Sequence, residues 1–290
     1  LAQKEFIWIS IEEIQKHGEE MTNQLALITG ASSGIGEAFA RQLARQGYDL
    51  CITGRRTDKL EAIAAKLRDS HKISVEVLAA DLATNDGIHK VEAWIKANPS
   101  ITLLINNAGF GTRGLFANKS SEKYAEMITV HVTAAMRLTS AALPAMIQAK
   151  RGAVINVSSI TAFLPLAGNA VYAGTKSFLN SFTQTLSYEL KNTGVKVQAL
   201  VPGFTYSDFH KRPDYSKTNT YATVPKILWM TAEDVAKTSL RALERNQLFC
   251  IPGALNKMIA LAGRSGLAAL GSAVMAQLYK RSSKKVEGKV

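Results

Sequence analysis

Tyr172 and Lys176 stand four residues apart in a stretch of helical periodicity, so both side chains project from one face. A lone phenol titrates near about pH 10 and is a poor base at neutrality. A neighbouring ammonium favours the phenolate and makes the hydroxyl a usable proton donor or acceptor. Ser159 lies thirteen residues upstream of Tyr172, just past an apolar run that reads as a strand. A hydroxyl at a strand end could hold a substrate oxygen beside the phenol. Y-x-x-x-K also occurs by chance in many helices, so the pair acquires meaning only from its surroundings.

A second piece of chemistry sits near the other end of the chain. Thr29-Gly-Ala-Ser-Ser-Gly-Ile-Gly36 follows one apolar run and opens directly into a helical pattern. Gly30, Gly34 and Gly36, with Ser32, Ser33 and Ile35 between them, let the chain turn sharply and bring backbone N–H groups against a pyrophosphate. The spacing is G-x-x-x-G-x-G, not G-x-G-x-x-G. About 20 residues on, an acidic residue would bind a ribose 2′-hydroxyl and repel a 2′-phosphate. Here the second strand ends Thr53-Gly-Arg-Arg-Thr57 without a carboxylate. Arg55 and Arg56 offer guanidinium forks for a phosphate, which points to NADP(H).

Taken in order, the glycine-rich turn, Asn106-Asn-Ala-Gly109, Ser159, Tyr172-x-x-x-Lys176 and Pro202-Gly203 resemble the short-chain dehydrogenase/reductase family from about Leu25 to Pro252. The resemblance implies hydride transfer between NADP(H) and a carbonyl or alcohol. It makes Tyr172 the general acid/base and Ser159 the group that orients the substrate oxygen. Lys176 would hold the nicotinamide ribose and depress the Tyr172 pKa; Asp81 and Leu82 would contact adenine. Asn107, Ala108 and Gly109 would line the cofactor cleft, and Pro202 and Gly203 would pass over the nicotinamide. Many members carry an asparagine in the helix after the fourth strand, supporting a proton relay. The matching residue here is His131, which could serve the same relay or be structural. The resemblance also implies a homodimer or homotetramer built on the two long helices.

These groups need a scaffold. Apolar runs at residues 25–29, 50–53, 75–79, 103–106, 153–157 and 195–201 read as buried parallel strands. Helical periods fill residues 37–46, 58–69, 86–97, 121–149 and 171–191 between them. That alternation predicts an α/β fold: a doubly wound parallel sheet of Rossmann type, in one domain over residues 21–252. Residues 203–230 break the rhythm and read as a substrate lid. A helix over 232–244, a short strand near Phe249, and a helical, basic tail over 253–290 follow. Aromatic and apolar residues at 110–116, 160–167 and 204–229 suit a small hydrophobic carbonyl or alcohol, or they pack the lid.

Composition narrows the rest. With 47% apolar and 20% charged residues the chain can build a large core. Cys51 and Cys250, far apart and without a Cys/His cluster, give no metal site and fit a cytoplasmic, reducing compartment. The net charge of +12 does not read as a nucleic-acid surface, because aromatics are not interleaved with it. Lys280, Arg281, Lys284, Lys285 and Lys289 oppose Glu287 alone, so the tail is either simply solvated or drawn to anionic lipid. Residues 1–20 read as sequence upstream of a start at Met21, the alternative being an N-terminal helix docked on the domain. Two rival functions stay open: a cofactor-binding scaffold without turnover, and a membrane-surface protein built on the tail.

Overall fold

The computed structural model describes residues 24–112, 114–164, 167–211 and 224–264. Within them β1 (Leu25–Thr29), β2 (Asp49–Gly54), β3 (Val75–Ala79), β4 (Ile101–Asn106), β5 (Gly152–Val157) and β6 (Val195–Leu200) form one parallel sheet with β9 (Phe249–Cys250). Their order is β3-β2-β1-β4-β5-β6-β9. Successive strand residues face opposite sides, and both sides are dry. Ala26 and Ile28 join the core beneath α1 (Gly34–Arg45) and α2 (Thr57–His71), with Phe39, Leu43 and Leu60. Leu27 and Leu104 join the opposite core, with Val91 of α3 (Asn85–Ala97) and Leu138 of the long helix after β4. That is why the central strands β1, β2, β4 and β5 are largely apolar. Each such fully buried side chain contributes about 1.5–3 kcal/mol.

The chain order reverses between β1 and β4, and there the carboxyl ends of the strands part to leave a crevice. The long helix expected over 121–149 is in fact divided. α4 (Ser121–Ile128) passes through a π-helical turn, Thr129–Thr133, into α5 (Ala134–Gln148). The extra residue in that turn rotates His131 inward, where it is buried. After β5, α6 (Ala170–Glu189) runs back along the sheet.

The segment after β6 is less open than its sequence suggests. β7 (Phe204–Tyr206) pairs in parallel with β8 (Trp229–Thr231), so the two ends of the expected lid are clipped together. Residues 212–223 within it, and residues 1–20 and 265–290, lie outside the described residues. α7 (Ala232–Glu244) packs against α1, and α8 (Ala254–Arg264) follows β9. Asn256 of α8 closes on Gly203, while Gly263 meets the backbone of Phe163, so the first turns of the tail pack onto the domain.

Candidate active site

The cofactor end is built by stapling two strand ends together. Thr29 Oγ1 donates to the Ile105 carbonyl (3.2 Å) and accepts from the backbone N–H groups of Asn107 and Ala108 (both 2.9 Å). Asn107 Nδ2 returns bonds to the carbonyls of Thr29 (2.8 Å) and Gly30 (3.2 Å). Thr29 heads the turn, yet its type and spacing alone gave no sign of this stapling role. The approach is so close that a Cβ on Gly30, at φ +67°, would stand 2.8 Å from Ala108 Cα. One on Gly36 would stand 2.5 Å from Asn107 Nδ2. Behind this, Asn106 Nδ2 donates to Asn156 Oδ1 (2.8 Å), and Asn156 Nδ2 to Thr183 Oγ1 (2.9 Å), a buried ladder from β4 through β5 to α6.

α3 and α7 are capped by Thr84 and Thr231, whose hydroxyls accept from Gly87 and Asp234. α1 has no side-chain cap. Its first-turn N–H groups are left for an anion. The Ser32 and Ser33 hydroxyls turn instead to Arg56, which donates to Ser32 from Nε (3.1 Å) and from a terminal nitrogen (2.9 Å), and to Ser33 (2.7 Å). Arg55 points elsewhere, 3.8 Å from both Asp81 and Glu126. The two arginines therefore part: Arg56 lies across the glycine-rich turn, Arg55 borders Asp81.

At the other end, β5 delivers Ser159, and Ile160 N donates to the Pro202 carbonyl (3.0 Å), tying the two loops that follow β5 and β6. Ser158 Oγ donates to the Lys176 carbonyl (2.9 Å). Lys176 Nζ donates to the Val157 carbonyl (2.7 Å) and lies 5.7 Å from the Tyr172 ring centre. The Ser159 hydroxyl, beside the Tyr172 phenol, favours its ionised form. Burial pushes Tyr172 up to about 12, against the downward pull of Ser159, and pushes Lys176 down to about 7. Burial thus outweighs the lowering that the pair alone suggests, and keeps the phenol protonated at neutral pH.

His131 sits behind this group. Its Nε2 accepts from the Phe110 N–H (3.0 Å), and Nδ1 meets Thr175 Oγ1 (2.9 Å), which itself donates to the Tyr172 carbonyl (2.8 Å). A backbone N–H can only donate, so these bonds select the neutral Nδ1–H tautomer. The ring also packs edge-on against Tyr172, 5.7 Å between centres.

A cleft of about 480 Å³ joins the two ends. Gly30, Ser32, Ser33, Gly34, Ile35, Arg55, Arg56, Asp81, Leu82, Asn107, Ala108, Gly109, Ser159, Tyr172, Lys176, Pro202 and Gly203 all line it. Gly36 and His131 support it from behind. Ser207 and Asp208, which belong to no motif, line it as well. The aromatic segments divide between the two readings. Phe110, Phe204 and Phe209 face the cleft, whereas Phe116 stacks on Tyr124 and Phe163 packs on Phe249. Tyr206 stacks on Trp229, and Leu166, Tyr215 and Tyr221 lie outside the described residues.

The buried lysine has a consequence for stability. In the unfolded chain Lys176 titrates near 10.5, in the fold near 7. Between those values the unfolded chain holds a proton that the fold has lost, so stability rises with pH across that window. Below about pH 7 both states are charged and the whole cost of burial is felt. Urea unfolding from pH 6 to 10 is therefore expected to show a rise on the order of a few kcal/mol that Lys176→Met removes. An unchanged pH dependence in the variant would show that Lys176 is not the group responsible.

A doubly wound parallel sheet, a glycine turn stapled to β4, and a cleft at the switch point define a dinucleotide-fold protein. A family model of the short chain dehydrogenases matches residues 24–216. The chain belongs to this oxidoreductase family. It is 34% identical over 218 residues to serine 3-dehydrogenase of Agrobacterium fabrum, covering 73% of this chain and 84% of the relative. Among solved structures, a short-chain dehydrogenase from Sphingobium yanoikuyae in complex with NADPH is 35% identical with a TM-score of 0.76, covering 83% and 92% of the two chains. The bulky-bulky ketone specific alcohol dehydrogenase from Comamonas testosteroni is 31% identical with a TM-score of 0.72, covering 85% and 94%.

Proposed function

We propose that the protein is an NADP(H)-dependent oxidoreductase that interconverts a carbonyl and an alcohol, with Tyr172 as general acid/base. One observation carries this reading: a single cleft has Arg56, Ser32 and Ser33 at one end and Ser159, Tyr172 and Lys176 at the other. Gly30 and Gly36 admit no side chain because the turn is pressed against Asn107 and Ala108, which fixes its backbone N–H groups for a pyrophosphate. The bound nicotinamide supplies or accepts the hydride. Tyr172, protonated at neutral pH, donates its phenolic proton to the carbonyl oxygen in reduction and takes it back in oxidation. Ser159 holds the same oxygen, which fixes the carbonyl before proton transfer. Lys176, in its charged form, favours the phenolate that this step leaves behind.

Phe110, Phe204 and Phe209 beside this end favour a ketone or aldehyde with apolar substituents. The ketone specificity in the name of the Comamonas relative supports that class. Purified protein is to be assayed against ketones and aldehydes with NADPH and NADH in parallel. The reading expects turnover of hydrophobic carbonyls with NADPH preferred; a strong NADH preference would overturn the cofactor assignment. The outward apolar residues Met136 and Phe178, on α5 and α6, support a homo-oligomer, and the buried free cysteines a reducing compartment.

His131 we assign a positioning role, because its ring nitrogens hold Phe110 and, through Thr175, the backbone of Tyr172. His131→Ala orphans the Phe110 N–H and is expected to cost about 1–3 kcal/mol of stability. Turnover falls with it, but the pH–rate profile keeps its shape. A displaced profile would instead support the relay.

A further inference from the structure

The segment after β6 crosses the glycine-rich turn. A side chain on Gly34 would stand 2.8 Å from Ser207 Cβ, so Ser207 rests on the turn itself. The next residue, Asp208, places a carboxylate oxygen 3.3 Å from a terminal nitrogen of Arg56 and 3.8 Å from Lys59 Nζ. Arg56 thereby divides its donors, two nitrogens to Ser32 and Ser33 and the third to Asp208. Ser32, Ser33, Gly34, Ser207 and Asp208 also border a second recess, on the side toward Arg41 and Lys59. Asp208 thus stands on two cations beside the turn, where an anion beyond the pyrophosphate would be received.

We propose that Lys59 and Asp208 determine specificity for the cofactor's 2′-phosphate, Lys59 as its second cation and Asp208 as an intramolecular anion that competes for both cations. The inference rests on the NADP(H) reading above. A 2′-phosphate brings a charge of about −1.5 to −2 and three acceptor oxygens. It cannot share one guanidinium–ammonium pair with a carboxylate without strong repulsion. The carboxylate yields, and the affinity for the phosphate is reduced by the contacts it gives up. A cofactor without that phosphate leaves Asp208 in place. The residue after the serine of the turn-crossing segment therefore narrows the preference that Arg56 creates.

The test is equilibrium binding of 2′,5′-ADP and of 5′-AMP by calorimetry, which needs no turnover. Asp208→Asn keeps the shape and removes the charge at a partly exposed position. It is expected to bind 2′,5′-ADP about two- to fivefold more tightly, as suits exposed ion pairs, with 5′-AMP unchanged. That difference should shrink as ionic strength rises, which a purely structural role would not produce. Lys59→Ala is expected to weaken 2′,5′-ADP alone. The inference is overturned if Asp208→Asn binds 2′,5′-ADP no more tightly, or tightens both ligands alike, or if Lys59→Ala leaves 2′,5′-ADP unaffected. The wild type separates the two levels: if it binds 2′,5′-ADP no more tightly than 5′-AMP, the NADP(H) reading itself fails, whereas an Arg56→Ala variant with undiminished preference removes only Arg56 as the phosphate's seat.

Discussion

Tyr172→Phe is expected to lower kcat for carbonyl reduction by about 10²–10⁴-fold, the range typical of a missing general acid. The substitution removes one oxygen and little else. The ring keeps its edge contact with His131 and its packing on Phe209, at 5.7 and 5.9 Å between centres. The α6 backbone is unaffected, and only the phenol's interaction with Ser159 disappears with the oxygen. Cofactor affinity should therefore stay within about twofold, because the arginine, serine and glycine groups at the far end of the cleft are untouched. A drop in kcat with constant cofactor binding and a melting temperature near the wild type would separate chemistry from folding. Turnover retained within tenfold would remove Tyr172 from the proton-transfer step.

The same residues show what sequence can and cannot convey. The strand start and end at Leu25 and Thr29 were legible because burial on both faces demands an apolar run, here bounded by Gln24 and Gly30. Tyr172, Lys176 and Ser159 were legible because their order ties them to a strand end and the helix that follows. The π-helical turn was not. It shifts the helical phase by one residue, and only that shift decides that His131 points inward. The pairing of β7 with β8 was hidden too, since strands of three residues carry no usable period. Which aromatics line the cleft was not legible, because their presence in a segment does not say which rings pack on each other. Phe116 is 61% exposed and stacked on Tyr124, whereas Phe110 faces the cleft.

Arg55 and Arg56 pose the sharpest case, because adjacent residues at a strand end look equivalent in sequence and the fold makes them different. Arg56→Ala is expected to lower the NADPH-over-NADH ratio in kcat/KM by about ten- to a hundredfold, as removing charge-assisted bonds to a phosphate would. Its guanidinium already bridges Ser32 and Ser33, so the fork is preorganised at the mouth of the turn and little entropy is lost on binding. Arg55→Ala should have a much smaller effect. That side chain is half exposed and already faces Asp81 and Glu126, which compete with any phosphate for it. Parallel kcat/KM measurements with both cofactors on both variants give the comparison. If Arg55→Ala erodes the NADPH preference more than Arg56→Ala does, the phosphate lies on the Asp81 side of the cleft, and the assignment of Arg56, Ser32 and Ser33 as its seat is wrong.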